Sequence, residues 1–254
     1  MTIRSLDAIR TDFPALARRE REFPVAYFDG PGGTQVPRGV VDAMSDYLLH
    51  HNANSRWMYP TSVETDAVIA AGRQALADFL GASPRDIAFG ANMTTLNFHL
   101  ARALGRGWGA GDEIVLTELD HHGNVAPWQA LAQERGIVLR IIPLRLEDGT
   151  LDLGVLPRLL GPRTKLLAIG AASNVLGTIT DVSAACSIAR QAGVLSFVDA
   201  VHAAPHVLLD VQAIGCDFLG CSAYKFYGPH VGVLFGRKAR IEALDVPRLL
   251  PAPD

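Results

Sequence analysis

From Asp86 onward, short apolar runs alternate with stretches of helical length, and the turns between them are short. Ile87-Ala88-Phe89, Ile114-Val115-Leu116-Thr117, Val138-Leu139-Arg140-Ile141-Ile142, Lys165-Leu166-Leu167-Ala168-Ile169 and Val194-Leu195-Ser196-Phe197-Val198 read as strands. Between them the patterning predicts helices from about Thr94 to Leu104, Asn124 to Arg135, Leu153 to Leu160 and Val182 to Ala192. Strands separated by helices do not pair as hairpins, so this order predicts an α/β fold with a largely parallel sheet covered on both faces. Ahead of it, Thr61-Ser62-Val63-Glu64 has the form of a capping box. It predicts a helix to Leu80, with Val63, Ala67, Ala70 and Ala71 on one face and Gly81 as the stop. The glycine-rich Gly105-Arg106-Gly107-Trp108-Gly109-Ala110-Gly111 follows a helix and precedes a strand, the reverse of a dinucleotide cradle, and reads as a loop.

A chain of 254 residues suits one domain, or one plus a small appendage. Nearly half the residues are hydrophobic, which excludes disorder over most of its length. A net charge of −3 without a basic stripe gives no footprint for nucleic acid or an anionic membrane, leaving small molecules and protein as expected partners. Charges in Met1-Thr2-Ile3-Arg4-Ser5-Leu6-Asp7 replace the apolar core of a secretory signal, and no stretch of transmembrane length lacks a charge or proline; the expected location is cytoplasmic. Cys186, Cys216 and Cys221 are odd in number and lack CxxC spacing, so they read as buried apolar residues rather than disulfides or zinc ligands.

Of only three lysines, Lys225 stands apart. Asp217-Phe218-Leu219-Gly220-Cys221 reads as a buried strand and Ser222 opens the loop leaving it, so Lys225 sits where open α/β sheets hold ligands. Asp199 ends the preceding strand at a similar exit. Lys165 opens a strand and Lys238 lies in a charged turn, Arg237-Lys238-Ala239-Arg240. Desolvation frees a lysine amine for a Schiff base, and a buried carboxylate needs a cationic partner. The pair points to pyridoxal phosphate, with the amine for its aldehyde and the acid for its pyridinium nitrogen.

Several motifs carry a family resemblance: Phe28-Asp29-Gly30-Pro31-Gly32-Gly33-Thr34, Thr94-Thr95, Asp120-His121-His122-Gly123-Asn124-Val125-Ala126-Pro127-Trp128, Ser173-Asn174-Val175-Leu176-Gly177-Thr178, Phe197-Val198-Asp199-Ala200-Val201-His202 and Ser222-Ala223-Tyr224-Lys225-Phe226-Tyr227-Gly228-Pro229. In this order they resemble the class V aminotransferase family, in particular its cysteine desulfurase and selenocysteine lyase branch. The resemblance implies a type I pyridoxal-phosphate-dependent transferase fold, with residues 26–254 as its large domain, a mostly parallel seven-stranded sheet between helices, and residues 1–25 as an N-terminal helical segment. The chain ends Val246-Pro247-Arg248-Leu249-Leu250-Pro251-Ala252-Pro253-Asp254 without a closing element, whereas the resembling enzymes continue into a smaller C-terminal domain. A fragment or a truncated gene product is the expectation, lacking the arginine that grips the substrate carboxylate and the cysteine that takes up sulfur.

The resemblance also assigns roles. Lys225 carries the cofactor, Asp199 pairs with its ring nitrogen, and His121 stacks on the ring and helps move protons. Thr94 and Thr95, at a helix start, and Ser222 bind the phosphate, although on the motif alone ordinary capping is the better reading of the threonines. Asn174 contacts the cofactor oxygen. His202 replaces the glutamine of many cysteine desulfurases, and Tyr224 replaces a histidine beside the lysine, which leaves any phosphate contact or proton role there open. A homodimer, a small amino-acid substrate such as L-cysteine and a sulfur-acceptor protein are implied, as are the alternatives of another aminotransferase, lyase or epimerase, or a non-catalytic cofactor-binding remnant. The competing metal centre of His121, His122, His202, His206 and Asp199 is disfavoured, because Pro205 disrupts the His202 to His206 segment and no HExxH glutamate is present. No metal is expected there.

Overall fold

The computed structural model describes residues 4–247. Residues 1–3 and 248–254, which include most of the tail read as lacking a closing element, lie outside them. The segment before residue 26 is helical over α1 (Leu6–Arg10) and a 3-10 turn at Pro14–Ala17, then closes in a hairpin of β1 (Arg19–Glu20) and β2 (Phe23–Pro24). Helix α2 (Arg38–Asp46) runs into a π turn over Tyr47–His51, and α3 spans Pro60–Leu80.

The alternating region follows the expected order: β3 (Ile87–Gly90), α4 (Met93–Leu104), β4 (Glu113–Thr117), α5 (His122–Arg135) and β5 (Val138–Ile142). A small hairpin of β6 (Leu144–Arg145) and β7 (Thr150–Leu151) leads to α6 (Leu156–Leu159), β8 (Thr164–Gly170), α7 (Val182–Gln191) and β9 (Leu195–Asp199). The described chain ends with α8 (Val211–Ile214), β10 (Phe218–Ser222), β11 (Gly232–Gly236) and α9 (Lys238–Glu242), the last occupying the expected charged turn.

Seven strands form one sheet in the order β3-β11-β10-β9-β8-β4-β5, parallel except that β11 runs antiparallel to both neighbours. Alternating side chains feed two cores. Val115, Leu167, Val198 and Leu219 face α7 and the end of α3, while Ile114, Leu116, Leu166, Phe197 and Phe218 face α4 and α5. A sheet buried on both faces explains the unbroken apolar runs.

Helix α3 departs from expectation. Pro60 occupies its first turn, where a missing N–H costs nothing, and Tyr59 is the N-cap without a side-chain bond. Thr61 and Glu64 therefore lie inside the helix and form no capping box. The predicted apolar face is also reversed: Val63, Ala67, Ala70 and Ala71 are exposed, and Ser62, Thr65, Ala77 and Leu80 are buried. Polar Ser62 and Thr65 are tolerated inside because they bind backbone, Ser62 Oγ accepting from Trp57 N at 2.8 Å and Thr65 Oγ1 donating to Thr61 O at 2.9 Å.

Strand β11, absent from the sequence reading, is brought beside the N-terminus of α4 by Gly232. A Cβ there would lie 2.3 Å from the carbonyl carbon of Asn92, a backbone atom that cannot swing aside. Gly232→Ala is expected to cost about 1–3 kcal/mol, read as a fall of several degrees in the thermal midpoint by circular dichroism. An unchanged midpoint would show that α4 gives way freely.

Candidate active site

The parallel strands expose their C-terminal ends on one edge of the sheet, and β3, parallel to β10, ends there too. The loops leaving this edge enclose a cavity of about 480 Å³, within the range typical of small-molecule sites. All nine residues singled out from the sequence line it: Thr94, Thr95, His121, Asn174, Asp199, His202, Ser222, Tyr224 and Lys225.

Lys225 lies in the 3-10 turn Ala223–Lys225 directly after β10 and is buried. Its Nζ donates to the Pro31 carbonyl and stands 4.8 Å from the centroid of the Tyr224 ring. Tyr224 in turn stacks on His230, with centroids 4.3 Å apart and planes 11° from parallel. The glycine-rich N-terminal motif holds this loop from outside. Thr34 N–H donates to Tyr224 O at 2.9 Å, and Tyr227 N–H donates to Thr34 Oγ1 at 2.7 Å. Tyr227 has φ 71°, a left-handed conformation unfavourable for a tyrosine, so the loop is held in place by its contacts.

Asp199 ends β9 and is buried. Burial pushes its carboxyl up to about 7, helped by the nearby Asp120, while the Val201 N–H at 2.9 Å and Lys225 pull the other way. Asp120 links two strand exits, accepting from Gly170 N at 2.6 Å and Thr117 N at 3.1 Å. Its enclosure raises it to about 6. His121 is the N-cap of α5, and its Nδ1 accepts from Gly123 N–H at 2.9 Å, which leaves Nε2 to carry the proton of the neutral ring. Burial, Lys225 and His122 all lower its pKa. His202 is likewise lowered by burial, His206 and Lys225. Both imidazoles are therefore neutral near pH 7.

The start of α4 is more committed than its sequence implied. Asn92 caps it, accepting from Thr95 N–H at 2.8 Å, and Met93 N–H donates to Ser222 Oγ at 2.9 Å. The Thr94 N–H, the hydroxyls of Thr94 and Thr95, and the hydroxyl hydrogen of Ser222 remain for an anion at this helix end.

Sequence reasoning missed Asn92, Phe98, Thr180 and His230 as cavity residues and gave Asp120 no role. An asparagine ahead of a helix is a capping signal, and placing the helix start at Thr94 concealed it. Among the described residues, His121, His122, His202, His206 and Asp199 do not bring three donor atoms within reach of one ion.

The donors fit pyridoxal phosphate. A buried lysine amine can meet an aldehyde, a carboxylate held in low dielectric needs a cationic partner, and a helix N-terminus with three hydroxyls suits a phosphate. Fold and cavity together describe an α/β cofactor domain of the pyridoxal-phosphate type.

The family model described as aminotransferase class-V matches residues 26–250. This chain belongs to that family, whose members are pyridoxal-phosphate enzymes. It is 40% identical over 243 residues to a cysteine desulfurase of Serratia proteamaculans (strain 568), covering 94% of this chain and 60% of that protein. The apo structure of cysteine desulfurase from Thermococcus onnurineus NA1 superposes with a TM-score of 0.89 at 32% identity, over 98% of this chain and 61% of that one. The structure of SspA in complex with cysteine gives a TM-score of 0.79 at 25% identity, over 89% and 65%. The chain thus spans about 60% of the length of the curated relatives it matches. The expected seven-stranded, mostly parallel sheet and the class V resemblance hold.

Proposed function

We propose that this chain is the cofactor-binding part of a cysteine desulfurase, with Lys225 as the residue that carries pyridoxal phosphate and L-cysteine as substrate. The convergence of Lys225 and Asp199 on one cavity beside the α4 N-terminus carries this reading. When bound, the cofactor supplies an aldehyde that condenses with amines and a protonated ring that takes up an electron pair from the substrate α-carbon. Asp199 holds the proton at the ring nitrogen, and its own raised pKa reflects how strongly the site calls for that cation. The Lys225 amine would hold the cofactor and, when free, would serve as the base that moves the proton at the substrate α-carbon. His121 presents a flat neutral ring and an Nε2 proton to the same space. Thr94, Thr95 and Ser222 would anchor the phosphate, and Asn174 and His202 would hydrogen-bond the cofactor's phenolic oxygen.

Sulfur removal needs a thiolate acceptor and a grip on the substrate carboxylate. Among the described residues, no cysteine and no arginine lines the cavity. Cys186 and Cys221 are buried, with thiols pushed up by desolvation to about 11 and about 12, and Cys216 is raised also. Thiols so raised are poor nucleophiles. We therefore place the acceptor and the arginine beyond the described residues. Three buried free thiols accord with a cytoplasmic setting, and the family supports a homodimer and a sulfur-acceptor protein as partners. The same two absences favour a second reading, a cofactor-binding unit completed by another chain.

The purified chain should release little sulfide from L-cysteine with a reductant present, and should gain turnover when extended by a C-terminal region bearing a cysteine and an arginine. Robust turnover by the 254-residue chain, lost in Cys221→Ala, would show the nucleophile to be misplaced. An extended protein without sulfide release leaves the second reading standing.

A further inference from the structure

Away from the cofactor cavity, Asp46, His50, His51 and Glu64 meet at the surface where α2 approaches the start of α3. Asp46 ends α2, and the two histidines end the π turn that continues it. Residues in an α-helix are turned by about 100° each, so the residue four on lies about 40° from Asp46 and the residue five on about 140° away, facing elsewhere. A π turn pairs i with i+5 and so accommodates an extra residue, a feature frequent at functional sites. Here it brings both histidines to the same carboxylate. His50 Nδ1 lies 3.0 Å from Asp46 Oδ1, and His51 Nε2 lies 3.3 Å from Asp46 Oδ2.

One ligand atom from each of the three residues lies within 4.8 Å of the others. A tetrahedral ion with bonds of about 2.0–2.2 Å has ligand edges of about 3.3–3.6 Å, so small side-chain rotations close the set. The second nitrogen of His51 is also engaged: Nδ1 lies 2.6 Å from Glu64 Oε2 on α3. A metal-bound imidazole characteristically gives its other N–H to a carboxylate, which fixes the tautomer and strengthens the ligand.

We propose that Asp46, His50 and His51 bind a divalent transition-metal ion of the zinc type, with Glu64 orienting His51. Two imidazole nitrogens and a carboxylate oxygen select zinc-like ions over magnesium or calcium, which favour all-oxygen sites. Three protein ligands leave a position open to water. Through His51 and Glu64 the ion ties the end of α2 to α3, and an ion bound to the native state raises stability by mass action. None of the four residues lines the cofactor cavity, so the site stands independently of the proposed reaction.

The test is calorimetric titration of chelator-stripped protein with Zn²⁺, with the thermal midpoint followed in parallel. One site per chain and a raised midpoint are expected. His50→Ala and His51→Ala should each abolish both effects, and Glu64→Gln should weaken affinity about 10–100-fold. His50 is 63% exposed in its side chain, so its replacement should leave the far-ultraviolet dichroism unchanged. His202 and His206, with ring centroids 5.2 Å apart, are the competing pair, and His206→Ala should leave the titration as it was. Zinc binding that survives the His50→Ala/His51→Ala double substitution, or disappears in His206→Ala, overturns the proposal. A wild-type chain that takes up no zinc does so too, and unaltered affinity in Glu64→Gln removes the role of Glu64.

Discussion

Borohydride reduction of the protein loaded with pyridoxal phosphate should leave the pyridoxyl label on Lys225 and on no other residue. Lys165 lies at the opposite end of the sheet, 3.6 Å from Asp112, and Lys238 lies 3.6 Å from Glu242 on α9, so neither faces the cavity. Lys225→Ala should abolish the label and slow exchange of the substrate α-proton by about 10²–10⁴-fold, the contribution of a positioned general base. The fold should persist, since the turn is also held by Thr34 on Tyr224 and Tyr227. A label mapped to Lys165 or Lys238 would place the cofactor elsewhere.

Asp199→Asn should retain the cofactor through Lys225 and the phosphate contacts while slowing α-proton exchange by about 10²–10³-fold, as for loss of a preorganised electrostatic partner. An amide carries no charge to set against a pyridinium. Unchanged exchange in this variant would refute the ring-nitrogen role. The same substitution has a second readout in the cofactor-free protein. Burial raises Asp199 to about 7 from an unfolded value of 3.8, so between those pH values the native state binds the additional proton. Its contribution to stability is then greatest at low pH and declines as pH rises toward 7. The thermal midpoint of Asp199→Asn relative to wild type should therefore rise from pH 4 to pH 7 and level off above. A relative midpoint independent of pH would show that Asp199 keeps an ordinary carboxyl.

How much of this was legible in the chain depends on how local each cause is. The succession of the main strands and helices from Ile87 to Asp199, and their largely parallel pairing, followed from apolar runs separated by helical stretches, whereas the order of strands across the sheet did not. Gly81 stopped α3 as expected, at φ 66°, since a left-handed terminus favours glycine. The burial of α3 was misread because its helical spacing defined an apolar stripe without saying which side would meet the core. Ser62 and Thr65 went inside once backbone groups nearby satisfied their hydroxyls.

The position of Lys225 and Asp199 at the cavity was legible in the sequence because Lys225 follows a strand and Asp199 ends one, and strand exits in an α/β sheet share one edge. That position is a property of local pattern and fold class. What only the tertiary structure decided is how these exits combine: Ser222 against the α4 N-terminus, Asp120 spanning β4 and β8, Asn92 held against Gly232, and His230 stacked on Tyr224. The π turn that draws His50 and His51 to Asp46 belongs with them. Each depends on contacts between segments distant in sequence or on a departure from regular helical spacing. Residue periodicity fixes which side of an element is apolar, and the packing of whole elements fixes which polar groups meet.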